Sequence, residues 1–490
     1  MRQGRFAMYI GLDLGTSGVR ALLVDEGGAP LGAQEAHYQA AHPAPGWSEQ
    51  DPAMWVTGCR TALAALKAAH PAEYAAVRGV AVAGHMHGAV LLDDAGDVLR
   101  PCILWNDTRS HAEAAALDGA DAVRDISGNI VFPGFTAPKL AWVAAHEPDV
   151  FARVAKVVLP KDYVSLWMTG TCASEMSDAA GTAWLDVGAR DWSDRLLEAG
   201  GMRRDQMPAL YEGSGVIGPL RDALADELGL PRGVQVIAGA ADNAAAACGV
   251  GALHEGAGFV SLGTSGVVLT ARDGFAPDAA SAVHTFCHAV PGRWYQMGVT
   301  LACTDSLNWL ARITGQGPAA LTAALGDTVR APGSLRFYPY LSGERTPHND
   351  AQVRGGFSGL DIAHDVPDLT RALLEGVSFA QADSLMALRA TGADPQSLLA
   401  IGGGAASSHW VQMLANTLNL PLEIPARGEF GAALGAARLA ICGVTGADPV
   451  AVMTKPEIAR TVTPDASLVD AFADAHQAYR AAFSGLKALQ

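Results

Sequence analysis

Asp13 stands just ahead of a Leu-Gly-Thr-Ser-Gly-Val stretch at Leu14–Val19, and the same six residues return at Leu262–Val267, about half the chain later. In the second copy Ser261 takes the place of Asp13. Glycine lets a backbone approach a ligand closely, and the N–H groups and hydroxyls of such a turn form a nest for phosphate oxygens. A single copy reads equally well as a plain hairpin turn. Two copies at equivalent places in two halves suit a nucleotide clamped between related domains. A carboxylate beside a triphosphate repels it unless a cation stands between them, and Mg²⁺ commonly binds through one or two carboxylates, waters and substrate phosphates. Asp13 is therefore read as the metal-side carboxylate. Bonding to the turn amides is the plain alternative.

Asp242 follows the apolar run Val234–Ile237 and precedes Ala244–Ala247, with Asn243 beside it. Aspartate is a favoured helix N-cap. The position also falls at the C-terminal end of a strand, where clefts of α/β proteins open. An aspartate there can take a proton from an alcohol attacking phosphorus. Gly84–Gly88 reads Gly-His-Met-His-Gly. His85 and His87 would share one side of an extended chain, and two histidines fall short of a zinc site, so a wall bonding sugar hydroxyls is the reading. Trp105, Asn106 and Asp107 offer an aromatic face, an amide and a carboxylate, which also suits a sugar. For Trp105 alone, spacing favours core packing. Gly402–Gly404 opens a turn against which a flat base can lie, without the GxGxxG or GxxxxGK[ST] spacing of dinucleotide and P-loop folds.

These residues need elements to hold them. Ile10, Leu12 and Leu14 alternate with Tyr9, Gly11 and Asp13, the period of a strand. Val19–Val24 forms its hairpin partner, and the second copy repeats strand, turn, strand. Helices are expected in the segments 51–69 and 136–148. Val234–Gly251 reads as buried strand, short loop and Ala-rich helix, and 397–420 as strand, Gly-rich turn and helix. The small residues of 428–444 read as a closely packed helix. The boundary between halves is placed near Gly249–Gly258, where glycine and alanine cluster.

The bulk numbers agree with two globular domains: 490 residues, 50% hydrophobic and 17% charged. A formal net charge of −16 without a basic patch excludes a nucleic-acid binder. No apolar stretch is long enough for a membrane span, and no secretory core is seen at the N-terminus. Met8 reads as the natural start, with Met1–Ala7 an extension. Seven scattered cysteines without a CxxC pair read as reduced cytoplasmic thiols.

The order DLGTSGV, GHMHG, LWNDTR, FPGFTAPKLAWV, LPKDY, SDAAGTAWLD, GAADNAAAACGVG, SLGTSGV, YLSGERTPHND, GGFSGL, IGGGA closely resembles the FGGY family of carbohydrate kinases, over nearly the whole chain. The resemblance implies an α/β protein of two duplicated ribonuclease-H-like (actin-like ATPase) domains, 8–249 and 250–490, with a cleft between them. The MHG and LWND segments point, within the family, to ATP-dependent phosphorylation of D-xylulose with Mg²⁺. Ribulose, gluconate and glycerol are alternative acceptors, and an actin- or chaperone-type ATPase is the reading from another class. By motif, Asp242 is the base, and Met86, His87, Trp105, Asp242 and Asn243 contact the sugar. Asp13 serves metal and phosphates. Thr16, Ser17, Gly263 and Thr264 form the phosphate hairpins. Gly403, Gly404 and Ala405 match the adenosine turn, and Thr304 and Asn308 line the nucleotide site. A homodimer is ordinary for the family. His85 stands where glutamine is common and Ala241 where glycine is common, so His85 is expected to alter a hydroxyl contact or to bring pH dependence near neutrality.

Overall fold

The computed structural model describes residues 7–426 and 431–488. The extension expected at the N-terminus lies outside the described residues, Ala7 excepted. The first sheet contains β1 (Met8–Leu14), β2 (Gly18–Val24), β3 (Pro30–His37), β4 (Val77–Gly84), β5 (Val216–Pro219) and β6 (Gln235–Ala241), in the order β5-β6-β4-β1-β2-β3. β1, β4 and β6 run parallel; β2, β3 and β5 are antiparallel to their neighbours. The second sheet contains β7 (Gly258–Leu262), β8 (Gly266–Arg272), β9 (His284–Cys287), β10 (Trp294–Thr300), β11 (Leu398–Ile401), β12 (Leu422–Pro425) and β13 (Ile458–Val462), in the order β9-β10-β8-β7-β11-β12-β13. Each sheet is thus built on a hairpin whose first strand pairs antiparallel on one side and parallel on the other. The repeated turn is a repeated fold.

The alternation along β1 explains its two faces. Ile10, Leu12 and Leu14 are buried with Trp55, Cys59, Leu63 and Leu66 of α1 (Pro52–Ala69). The opposite face carries Gly11 and Asp13. There α8 (Ala432–Thr445) lies on the strand so closely that a Cβ on Gly11 would sit 1.8 Å from the Ala433 carbonyl oxygen. Gly435 makes an equally close approach to the Ala245 carbonyl of α4 (Asp242–Val250). The small-residue helix read over 428–444 is this one, with 428–430 outside the described residues, and it packs on the first sheet although it comes from the second half of the chain. The helices α2 (Thr136–His146), α3 (Pro160–Thr169), α5 (Thr304–Thr314), α6 (Val366–Ala390) and α7 (Ser408–Leu418) complete the frame, α6 and α7 covering β7 and β8. The short loop expected between β6 and α4 is absent: the helix begins at Asp242, directly after the strand.

The halves are joined by hydrogen bonds as well as by a shared apolar core. Asn129 Nδ2 donates to the Thr285 carbonyl, and Thr285 N donates back to Asn129 Oδ1, both at 2.9 Å. Trp294 Nε1 donates to the Val187 carbonyl at 2.8 Å. Phe286 and Tyr295 are buried in the same cluster as Phe135 and Trp184. All seven cysteines are unpaired. Among the described residues, no helix is long and apolar enough to cross a membrane.

Candidate active site

Three neighbouring parallel strands end together. Leu14 pairs with Gly84, and Gly84 with Ala241. Asp13 therefore lies one step before this common edge, and His85 and Asp242 one step beyond it. Asp242 opens α4, and the N-cap is Ala241, which has no capping side chain. The plain capping role for Asp242 is not realised. Its Oδ1 instead accepts from Asn243 N at 2.7 Å and Asn243 Nδ2 at 3.0 Å. Burial pushes the Asp242 carboxyl up to about 6, against the pull of those two donors. Asp13 is pushed up to about 7 by burial and then by the negative charge of Asp242, with Arg20 opposing. Arg20 went unnoticed in the sequence, although the hairpin register places it directly across from Asp13. Its Nε donates to Glu35 Oε1 at 2.6 Å.

The first hairpin is braced from behind. Tyr38 donates to the Gly15 carbonyl at 2.8 Å and Gln50 Nε2 to the Thr16 carbonyl at 2.6 Å. Ser17 is exposed at the tip. Trp105 Nε1 donates to Thr16 Oγ1 at 3.0 Å, and the residue is 38% exposed. Core packing for Trp105 is thus overturned: it stands on the rim beside the turn. Its neighbours do not join it. Asp107 is buried, accepts from Ser48 N at 2.6 Å and is paired with Arg109 at 2.7 Å. Its acceptor capacity is spent on bracing the loop. Asn106 is exposed and faces a separate hollow with His42 and Trp47.

The two histidines also part company. His87 has φ +72°, so the chain is not extended there and the i, i+2 reading fails. Its ring stacks on Phe135 at 4.7 Å, and its Nδ1 lies 2.7 Å from the Gly181 carbonyl. Lys139 Nζ donates to the His87 carbonyl at 2.7 Å, holding the turn. Met86 is buried beside Gly181, where a Cβ would come within 2.7 Å of Met86 Cε. His85 packs edge-on against Trp55 of α1 at 5.7 Å, on the other face of the sheet from Phe135. Burial and then Lys139 push His85 down to about 3. Its expected titration near neutrality is therefore overturned.

The second half forms a cleft of about 690 Å³ lined by Thr304, Asn308, Gly403, Gly404, Ser407 and His409, among others. Thr304 N and Oγ1 donate to the Gly263 carbonyl at 2.9 and 2.8 Å, and Cys303 N donates to the Thr264 carbonyl at 2.8 Å. The second hairpin is thus locked to the start of α5. Gly402 has φ +86°, and a Cβ there would lie 2.8 Å from the Leu262 carbonyl oxygen, so the glycine turn rests on the second hairpin. Gly403 faces open space. Ala405 lies within the turn, its N–H donating to the Gly402 carbonyl at 3.1 Å, while Ala406 supplies the cleft wall.

A doubled sheet-and-hairpin frame, a cleft beside one hairpin and a carboxylate pair beside the other define a nucleotide-using transferase of the ribonuclease-H-like, actin-like ATPase fold. Residues 8–249 match the N-terminal domain model of the FGGY family of carbohydrate kinases and residues 258–444 its C-terminal domain model. The chain belongs to the FGGY family of carbohydrate kinases. It is 47% identical over 485 residues to the xylulose kinase of Klebsiella pneumoniae, covering 98% of this chain and all of that one. It is 49% identical over 435 residues to the xylulose kinase of Escherichia coli K12, covering 88% and 89% of the two chains. The crystal structure of a xyloylose kinase from Brucella ovis superposes with a TM-score of 0.96 at 55% identity, covering 99% of this chain and 100% of that one. The protein is a kinase whose substrates are ATP and a sugar.

Proposed function

We propose that the protein transfers the γ-phosphoryl group of ATP to the terminal hydroxyl of D-xylulose, giving D-xylulose 5-phosphate. The observation that carries this is the half-buried carboxylate of Asp242, pushed up to about 6 at the shared strand edge beside the His87 turn. The names of the relatives at 47–49% identity supply the ketose. A base with its pKa near the working pH can take the hydroxyl proton as the oxygen attacks phosphorus. Met86, His87, Trp105 and Asn243 are the residues proposed to orient the sugar, and Phe286 of β9, 6.3 Å from His87, contributes from the second half. The backbone of Thr16–Ser17 and of Gly263–Thr264 faces the phosphates, and Thr304, Asn308 and Gly403–Ala405 surround adenosine. In this reading 8–249 carries the chemistry and 250–490 binds the nucleotide base.

Asp13 fits a divalent cation. It is a half-buried carboxylate raised first by loss of water and then by the charge of Asp242, and a positive ion beside it would relieve that repulsion. Bound Mg²⁺ would neutralise phosphate charge there. Arg20, across the hairpin, supplies a fixed positive charge on the same side. The unpaired thiols support a reducing, cytoplasmic setting.

The test is ADP release with Mg-ATP across D-xylulose, D- and L-ribulose, glycerol, gluconate and no sugar. A preference for D-xylulose of about a hundredfold, or about 2.7 kcal/mol in the transition state, is expected. Equal release with every sugar and with none would mean an ATPase and would contradict the proposal.

A further inference from the structure

Directly behind Asp242 lies a buried charged cluster with no part in the proposed transfer. Lys161 of α3 is fully buried, with Nζ 2.6 Å from Asp162 Oδ1, 3.7 Å from Glu175 Oε1 and 3.9 Å from Asp178 Oδ2. Glu175 accepts only from donors: Ser177 N at 2.7 Å, Ser177 Oγ at 2.8 and 2.9 Å and Asp178 N at 2.8 Å. These would suffice for a local helix cap. One contact reaches far beyond it. The backbone N–H of Ala241, the residue before Asp242, donates to Ser177 Oγ at 3.0 Å and to Glu175 Oε1 at 3.2 Å.

The strand itself explains why that N–H needs side chains. β6 is kinked at Gly239, φ +79°, where a Cβ would lie 1.8 Å from the Val82 carbonyl oxygen. The register with β4 shifts between Ile237 and Ala240. Past the kink, a buried N–H with no acceptor costs about 1–3 kcal/mol, and its acceptor fixes the direction of the chain entering α4.

We infer that Glu175 and Ser177, backed by Lys161, are positioning residues for the Asp242 carboxylate, acting through the Ala241 N–H. The inference rests on the reading of Asp242 as the base. Ser177 donates its hydroxyl proton to Glu175 and accepts from Ala241, so the hydroxyl and the carboxylate share the one N–H that ties the cluster to the strand. Both Glu175 oxygens face donors, so an amide in its place would set N–H against N–H.

The experiment measures kcat and KM for ATP in Ser177→Ala, Ser177→Thr and Glu175→Gln, each alone and with Asp242→Asn. Ser177→Ala is expected to lower kcat about tenfold with KM for ATP within about twofold, and Ser177→Thr to restore most of it. Glu175→Gln is expected to lower kcat about thirtyfold or more. In the residual activity of Asp242→Asn, Ser177→Ala should cost less than about twofold, because it acts through the missing carboxylate. The same loss in both backgrounds, or a loss confined to KM for ATP, would overturn the positioning role. Near-wild-type turnover of Asp242→Asn alone would instead overturn the base assignment, and this role with it.

Discussion

The two hairpins share six residues and a place in their sheets, yet they work in different surroundings. The first has Asp13 on its leading strand and Arg20 across from it, with the His87 turn and Asp242 just beyond the ends of β4 and β6. The second has Ser261 in the equivalent position, the carbonyls of Gly263 and Thr264 tied to α5, and the 690 Å³ cleft beside the glycine turn. In the proposed function the two turns are two phosphate cradles, and what stands next to each separates chemistry from nucleotide binding.

The sharpest way to break that comparison is at the base. Asp242→Asn should lower kcat by about 10³-fold, within the range of general-base catalysis, while ATP affinity measured by calorimetry stays within about threefold. A parallel fall in ATP affinity would place Asp242 in the nucleotide site instead. On the other half, Gly403→Leu should raise KM for ATP by about tenfold or more at unchanged melting temperature, because a side chain there meets only open cleft. Its neighbour gives the contrast. Gly402→Ala forces a side chain into a left-handed backbone against Leu262 and should destabilise the fold by about 1–2 kcal/mol or more, seen in denaturant midpoints.

Acidity should act on the chemistry through Asp242. The Asp242 carboxyl is raised to about 6, so kcat/KM should fall as pH drops through that value, and nucleotide binding should not follow it. The sign for stability is opposite. A buried carboxyl raised above its unfolded value holds its proton more tightly in the folded state, so its contribution to stability falls as pH rises from about 4 to 6. A pH–activity profile flat between 5 and 8 would remove Asp242 from the mechanism. The smallest effect is expected at His85. Because its ring meets Trp55 rather than the His87 stack, His85→Gln should change relative kcat/KM among ketoses by less than about threefold.

The hairpins were legible because alternation and turn residues are local signals, and their repetition doubled the weight of each. Asp242 drew notice because a carboxylate after an apolar strand and before a run of alanines reads as a helix cap or as a base at a strand end, and the helix start at Asp242 removes the first of these. Asn106 and Asp107 misled as companions of Trp105 because composition cannot show direction. Trp105 turns to the first hairpin, whereas two residues on Asp107 is claimed by Arg109 and Ser48. His85 and His87 misled because one left-handed residue sends them to opposite faces of the sheet. The hold of Glu175 and Ser177 on Ala241 joins residues more than sixty positions apart and leaves no periodic trace. The small residues of α8 announced close packing but not its target, the far face of β1.

The most direct test of unequal work by equal turns is an Mg²⁺ titration of turnover in two variants, Asp13→Ser and Ser261→Ala. Asp13→Ser gives the first hairpin the residue of the second. It is expected to need about tenfold more Mg²⁺ for half-maximal rate and to lose about a hundredfold in kcat. Ser261→Ala is expected to leave the metal requirement unchanged and kcat within about threefold. Equal Mg²⁺ dependence in both variants would show that Asp13 is only a turn residue and would contradict the division of labour between the two halves.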